Sequence, residues 1–236
     1  VLSYKLDINP YNESIRAFEA YLHHYPDSKR KEDVYQYLVN VYTSTNNYAK
    51  ALESLDRVTN KDITLKKVYQ LIAYNYGIEL YQKGNFQEAI NTLKLVSTYP
   101  INPQLTAKAA YWSADASYQL AQYDTALKGF KSYLGMPGAT DTELKSEVHY
   151  NLGYTNLNKG DTASAIENFR LFVQDKPQNK RKLADAYMRL GDSYFMRRDN
   201  QAAIQNYDLA LALNVANQDQ ALYYKALTLG VTNNKD

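Results

Sequence analysis

The residues of this 236-residue chain that could do chemistry are few, and their spacing argues against most reactions. There is no cysteine, which removes disulfides, thiolate nucleophiles and sulfur ligands to a metal. His23 and His24 are adjacent on a helical stretch, where neighbours do not share a face, and no ligand stands four residues on. His149 has Glu147 two residues away, the wrong interval for a zinc site. "NKGD" (158–161) lacks the Lys-Ser/Thr that ends a phosphate-binding loop, and "GMPG" (135–138) reads as a break between helices. Carboxylates abound, but they read as solvated charge and no pair stands out. The expectation is no catalytic group, no metal and no cofactor: this chain reads as something other than an enzyme.

What remains is recognition chemistry, and tyrosine dominates it. The chain has 24 tyrosines against six phenylalanines and one tryptophan. A tyrosine suits a position that is apolar on one side and wet on the other, and it is enriched where proteins meet partners. Two basic runs, Lys29-Arg30-Lys31 and Lys180-Arg181-Lys182, are the sharpest charged features. They fall in inter-repeat loops and read as solvated charge. Net charge is only +2 and no aromatic flanks these runs, so no nucleic-acid partner is expected. No apolar run has the length of a membrane span.

The elements that must position the tyrosines repeat along the chain. A small residue recurs at Ser14, Ala51, Ala89, Ala126, Ala165 and Ala203, at intervals of 37, 38, 37, 39 and 38. Four residues after each stands a large one: Phe18, Leu55, Leu93, Phe130, Phe169 and Tyr207. Three before stand Tyr11, Tyr48, Phe86, Tyr123, Thr162 and Asn200. This is one face of a helix. Ahead of each lies a second helical pattern that ends in a polar or glycine turn: "STNN" (44–47), "QKGN" (82–85), "NKGD" and "RRDN" (197–200). Gly77, Gly153 and Gly191 hold one place in it and would let a neighbouring helix approach closely, although glycine costs a helix about 1 kcal/mol. Pro26, Pro100, Pro137 and Pro177 close the units. The unit is a leading helix, a turn, a trailing helix and a break.

Leu152-Gly153 and Leu190-Gly191 with the later alanine, large residue and proline resemble the tetratricopeptide repeat, and the likeness covers nearly the whole chain. The family unit is about 34 residues; the longer period here calls for a longer loop or an extra turn on the leading helix. The resemblance implies an all-α fold, a right-handed α-solenoid of antiparallel helix pairs. We expect residues 1–236 to form a single array of about six pairs with a period of 37–39 residues. Residues 1–8 fall where the last turns of a leading helix belong, and 220–236 read as a leading helix with its turn, ending on a Leu222, Leu227, Leu229 stripe. Both ends fit a fragment of a longer array.

In that family the leading helices line a concave groove. Counting the recurring small residue as position twenty, positions five, nine and twelve of the middle copies place Tyr74, Tyr81, Tyr111, Asp115, Tyr118, Tyr150, Tyr154 and Asp192 along it. The resemblance therefore implies a protein-interaction scaffold that binds a peptide or partner helix in a tyrosine-rich groove. A carboxylate clamp for peptide C-termini is not expected: Asn40, Asn75 and Lys108 are in place, but Gln36 and Trp112 replace two of its cations. "YPDS" (25–28) resembles the helix ending of bacterial envelope tetratricopeptide proteins, which points to the cell envelope or periplasm, with the cytoplasm as the alternative. Sugar binding by the same tyrosines, with Asp115, Asn151 and Asp192 beside them, is one rival; a regulatory arm of a larger enzyme is the other.

Overall fold

A computed structural model describes residues 12–139, 142–215 and 218–233. Tyr11 and the helix turns expected over 1–8 lie outside the described residues. Among those described there are twelve α-helices and no strand. The trailing helices are α1 (Asn12–His24), α3 (Tyr48–Asp56), α5 (Phe86–Leu95), α7 (Tyr123–Leu134), α9 (Thr162–Gln174) and α11 (Asn200–Ala212). The leading ones are α2 (Lys31–Ser44), α4 (Ile63–Gln82), α6 (Pro103–Gln119), α8 (Thr142–Asn158), α10 (Lys180–Met196) and α12 (Asp219–Asn233). Leading helices α4, α6, α8 and α10 have 17 to 20 residues, so the long period goes into extra helix rather than loop. The chain forms two compact units, 1–109 and 110–236. In the first, α2 packs on α3 and α4 on both α3 and α5. In the second, α8 packs on α9 and α10 on α11, with α9 against α10 and α11 against α12. This is the tetratricopeptide-type stacking of helix pairs.

One turn is used five times between leading and trailing helices. The residue before the cap is left-handed: Asn46, Gly84, Ala121, Gly160 and Arg198 all have φ between 55° and 79°. The next N–H then reaches back five residues, as from Asn47 to the Tyr42 carbonyl at 2.8 Å and from Asp199 to the Tyr194 carbonyl at 3.0 Å. These bonds satisfy the last carbonyls of the leading helix. In three of the five the cap side chain then starts the trailing helix: Asn47 accepts from Lys50 N at 3.4 Å, Asp161 from Ser164 N at 3.0 Å and Asp199 from Ala202 N at 3.1 Å, whereas Asn85 and Gln122 make no such bond. After α1, Ser28 Oγ accepts from Arg30 N at 3.1 Å and lies 2.6 Å from the Tyr21 hydroxyl, which is what the serine of "YPDS" does.

The core of each pair is a small residue against a large one. Ala51, Ala89, Ala126, Ala165 and Ala203 are fully buried, as are Leu55, Leu93, Phe130, Phe169 and Tyr207; Ser14 on α1 is exposed. The glycines sit opposite the large side chains. A Cβ on Gly77 would lie 2.6 Å from Leu93, on Gly153 2.7 Å from Phe169, and on Gly191 2.5 Å from Tyr207. Ala114 takes this place on α6, and there the glycine moves across: a Cβ on Gly129 of α7 would meet that of Ala114 at 2.7 Å. Gly230 holds the place on α12 and has open space around it, beside exposed Leu222, Leu227 and Leu229.

The two basic runs differ: Lys29 and Arg30 lie in the turn before α2, as expected of an inter-repeat loop, whereas the second run is helical. Lys180-Arg181-Lys182 is the first turn of α10, and the Asn179 side chain caps it by accepting from the Arg181 and Lys182 amides at 3.1 and 3.2 Å. Lys31 likewise opens α2. Cations are unfavourable at a helix N-terminus, and Lys182 is answered by an ion pair with Glu147 of α8.

These contacts predict opposite outcomes for one substitution at two glycines. Gly153→Ala gains helix propensity but drives a methyl into Phe169, and it should cost a net 1–3 kcal/mol, an order-of-magnitude figure for overpacking. Gly230→Ala meets nothing and should stabilise by up to about 1 kcal/mol. Thermal unfolding followed by circular dichroism reads both; equal effects would reject the close-packing account.

Candidate functional site

The candidate residues fall in both units. In the first, Tyr74 and Tyr81 are half-buried on α4, and the Tyr81 ring meets Phe86 edge-on at 5.3 Å. Tyr74 lines a cavity of 400 Å³ with Asn46, Tyr48, Asn75, Ile78, Glu79 and Gln82. Its wall combines amides, which both donate and accept, with phenol rings and the Glu79 carboxylate, itself paired with Lys83. The Tyr48 hydroxyl donates to Asn46 Oδ1 at 2.8 Å and holds the left-handed turn at its edge. Gln70, one helical turn before Tyr74, is 1 % exposed. Its Nε2 donates to the Asn102 carbonyl and Thr106 Oγ1, both at 3.0 Å, and its Oε1 accepts from Asn102 N at 2.8 Å. That side chain ties the body of α4 to the start of α6.

In the second unit the tyrosines are tied from one leading helix to the next. Tyr111 is only 5 % exposed, edge-on to Trp112, Phe130 and Tyr133 at 5.2 to 5.8 Å. Asp115 is 8 % exposed. Asn151 of α8 joins the two, donating to the Tyr111 hydroxyl at 3.1 Å and to Asp115 at 2.9 Å. Asn158 donates to the Tyr118 hydroxyl at 3.0 Å. One repeat on, Tyr150 and Tyr154 both donate to Asp185 of α10, Tyr150 at 2.8 Å. Their rings stand 5.1 Å apart and pack on Phe169. Arg189 then bridges Asp185, at 3.4 Å, and Asp192, at 2.8 Å. Asp192 also accepts from the Tyr207 hydroxyl at 3.0 Å.

The structure thus brings Tyr150 and Tyr154 onto one carboxylate, and Tyr111 and Asp115 onto one amide. Asp192 is linked to that carboxylate only through Arg189. Tyr111 and Asp115 lie in the interior, whereas Tyr118, Tyr150 and Tyr154 are half-buried. Sequence reasoning missed Asp185, Arg189, Asn158 and Gln70. Only the i, i+4 spacing of Asp185 and Arg189 carries a readable signal.

Burial sets the electrostatics. It raises the phenol pKa of Tyr118, Tyr150, Tyr154 and Tyr207 above the ordinary value, reinforced for the last three by Asp185 or Asp192. In the first unit burial, with Asp56 nearby, pushes Tyr69 up to about 12. Burial also raises the Asp192 carboxyl, while Arg189 and the Tyr207 hydroxyl pull it back. These are phenol donors facing carboxylate acceptors, an arrangement that ties one helix to another. Among the described residues no three His, Cys, Asp or Glu side chains gather as a metal would need, and no helix is long and apolar enough to cross a membrane.

Comparison with known proteins agrees with this geometry. A profile of the tetratricopeptide repeat matches residues 146–179, which hold most of α8 and all of α9. The fold is similar to that of YrrB, a tetratricopeptide protein described as having an unusual peptide-binding site: 19% identity over 89% of this chain and 99% of that one, TM-score 0.59. It is similar to BtubC from P. vanneervenii, at 16% identity over 86% and 88%, TM-score 0.57. It is also similar to the MamA protein, at 17% identity over 79% and 93%, TM-score 0.56. At these identities the likeness is one of fold. None of the curated proteins compared with the chain matches it.

The raised phenols predict an alkaline limit. The folded state holds Tyr118, Tyr150, Tyr154 and Tyr207 neutral, whereas the unfolded chain ionises tyrosine near about pH 10. Their contribution to stability is therefore whole below about pH 10 and is lost as pH rises through the raised folded values. In an alkaline titration the phenolate absorbance of these residues should appear only together with loss of the helical signal. Ionisation near pH 10 with helix intact would contradict the network.

Proposed function

We propose that the chain is a non-catalytic interaction scaffold that holds an extended peptide or a partner helix against the tyrosine-bearing faces of its leading helices. The observation that carries this reading is the α4 cavity, where Tyr48, Tyr74, Asn75 and Gln82 set amides and phenol rings around 400 Å³. An extended peptide offers unpaired N–H and C=O groups in alternation, and side-chain amides complement both. Half-buried rings add apolar area at low cost in side-chain entropy. The peptide-binding site ascribed to YrrB, a protein of the same fold, is in keeping with this use. In the second unit the hydroxyls of Tyr118, Tyr150 and Tyr154 are held by Asn158 and Asp185. Their ring surfaces are what a partner would meet.

We place the scaffold in a bacterial cell-envelope complex, on the resemblance of the Tyr25-Pro26-Asp27-Ser28 helix ending. Fractionation of the source cells tests this: recovery of the chain with the cytoplasm would overturn it.

The binding reading is tested with peptides selected from a random library displayed on phage. Selected peptides should lose about tenfold in affinity, or about 1.4 kcal/mol, with Tyr74→Ala or Asn75→Ala. Fluorescence anisotropy measures this, with circular dichroism as the check on folding. Failure to select any peptide, or peptides indifferent to both changes, would overturn it.

A further inference from the structure

Two successive junctions between leading helices use the same three positions differently. At the α8–α10 junction, Lys182 in the first turn of α10 reaches back to α8. Its ammonium pairs with Glu147 and lies 5.5 Å from the centre of the Tyr150 ring. One repeat further on, the place of Lys182 is taken by Ala221 on α12. Glu147 is matched by Asp185, and Tyr150 by Met188, both on α10. These three residues line a cavity of 240 Å³. The carboxylate has been kept, the lysine that would answer it is gone, and the ring has become a flexible thioether.

The rest of the wall fits what is missing. Ala184, Ala210 and Val215 make it mostly apolar, with Asp185 and the Gln218 amide as its polar wall; Gln218 Nε2 donates to the Ala210 carbonyl at 2.6 Å. A mostly apolar lining that includes one carboxylate is the complement of a lysine side chain, which has a long aliphatic stem and a compact charged tip with three donors. The volume lies under the roughly 300–1,000 Å³ of small-molecule sites, so it holds one side chain rather than a cofactor. Asp185 already accepts from two tyrosines and has Arg189 beside its other oxygen. An ionised carboxylate offers about four lone-pair sites, which leaves capacity for a further donor. Two cations oppose a further one there: Arg181, exposed and also lining the cavity, and Arg189, already paired with Asp185.

We propose that this cavity reads a lysine: it takes the primary ammonium side chain of a bound peptide, which seats against Asp185 as Lys182 seats against Glu147. The inference rests on the peptide-scaffold reading and adds what one residue of that peptide must be.

The test is an NMR titration of the isotope-labelled chain with N-acetyl-lysine methylamide, and separately with N-acetyl-norleucine methylamide, which has the stem without the charge. The lysine probe should give saturable shifts of the Met188, Gln218 and Ala221 amides, and the norleucine probe should not. Ala221→Lys restores the residue that the preceding repeat carries. Ala221 is 1 % exposed, so the added side chain must fill the cavity: it should abolish the response, with circular dichroism as the check that the helices persist. Arg181→Ala should tighten lysine binding by removing a like charge. Equal shifts with both probes, a response that survives Ala221→Lys, or weaker binding in Arg181→Ala would each overturn the proposal. The α4 cavity lies in the other unit and is read by Tyr74 and Asn75, so failure here and failure of the scaffold reading are separate results.

Discussion

The fold depends on how closely two helices of a pair can approach at one residue. A leading-helix residue at position eight faces a trailing-helix residue sixteen places later, and the two must share the space of about one large side chain. Glycine against leucine, phenylalanine or tyrosine is the solution in α4–α5, α8–α9 and α10–α11. Each accepts a cost in helix propensity to bring the helices together, because burial of a leucine or aromatic ring at about 1.5–3 kcal/mol outweighs it. The α6–α7 pair reaches the same end differently, with Ala114 on one helix and Gly129 on the other. In the α2–α3 pair position eight is Val39 and position twenty-four Leu55, both fully buried, and no glycine is used. The constraint is on the sum of the two side chains, not on either identity.

Helix pairs defined in this way still need to be held to their neighbours, and here the polar groups matter. Tyr111 with Asp115, Tyr118, and Tyr150 with Tyr154 each accept from or donate to the following leading helix through one amide or carboxylate. Such groups cost free energy when buried alone and stabilise only when every member is satisfied. Arg189 between Asp185 and Asp192 is an instance: it offsets two half-buried carboxylates at once. The network therefore constrains register between repeats as well as stability. The same tyrosines cannot be treated as free hydrogen-bonding groups for a ligand; what they offer outward is ring surface.

Much of this was legible in the sequence because it follows from period. The recurrence of Ala51 through Ala203 with a large residue four later placed the trailing helices, and the polar turns placed the leading ones. The glycines announced close packing, although not that Gly129 stands in for a glycine missing from α6. What sequence could not show is which half-wet tyrosines turn inward. Tyr111 and Tyr150 share a position, yet Tyr111 is buried among three rings while Tyr150 is half-buried and donates to Asp185. That difference comes from neighbours on other helices. The basic run at Lys180 misled for a related reason: three cations read as loop, but the Asn179 cap and the reach of Lys182 to Glu147 make them the start of a helix.

In a repeat protein the backbone says the same thing several times, so information about partners has to lie where copies depart from one another. Positions eight, twenty and twenty-four vary only within what their shared volume permits, because they are spent on the pair itself. The departures gather on the leading helices near positions two, five and six. Asn151 and Arg189 share position six; one answers an acid with an amide, the other with a guanidinium. Glu147 and Asp185 share position two; one is met by a lysine from the next helix, the other by two tyrosines from the helix before. Each such change alters charge and volume on a leading-helix surface without disturbing the contact at position eight that fixes the scaffold. Separation of the two sets of positions is what allows one packing solution to present a different surface at each step of the array.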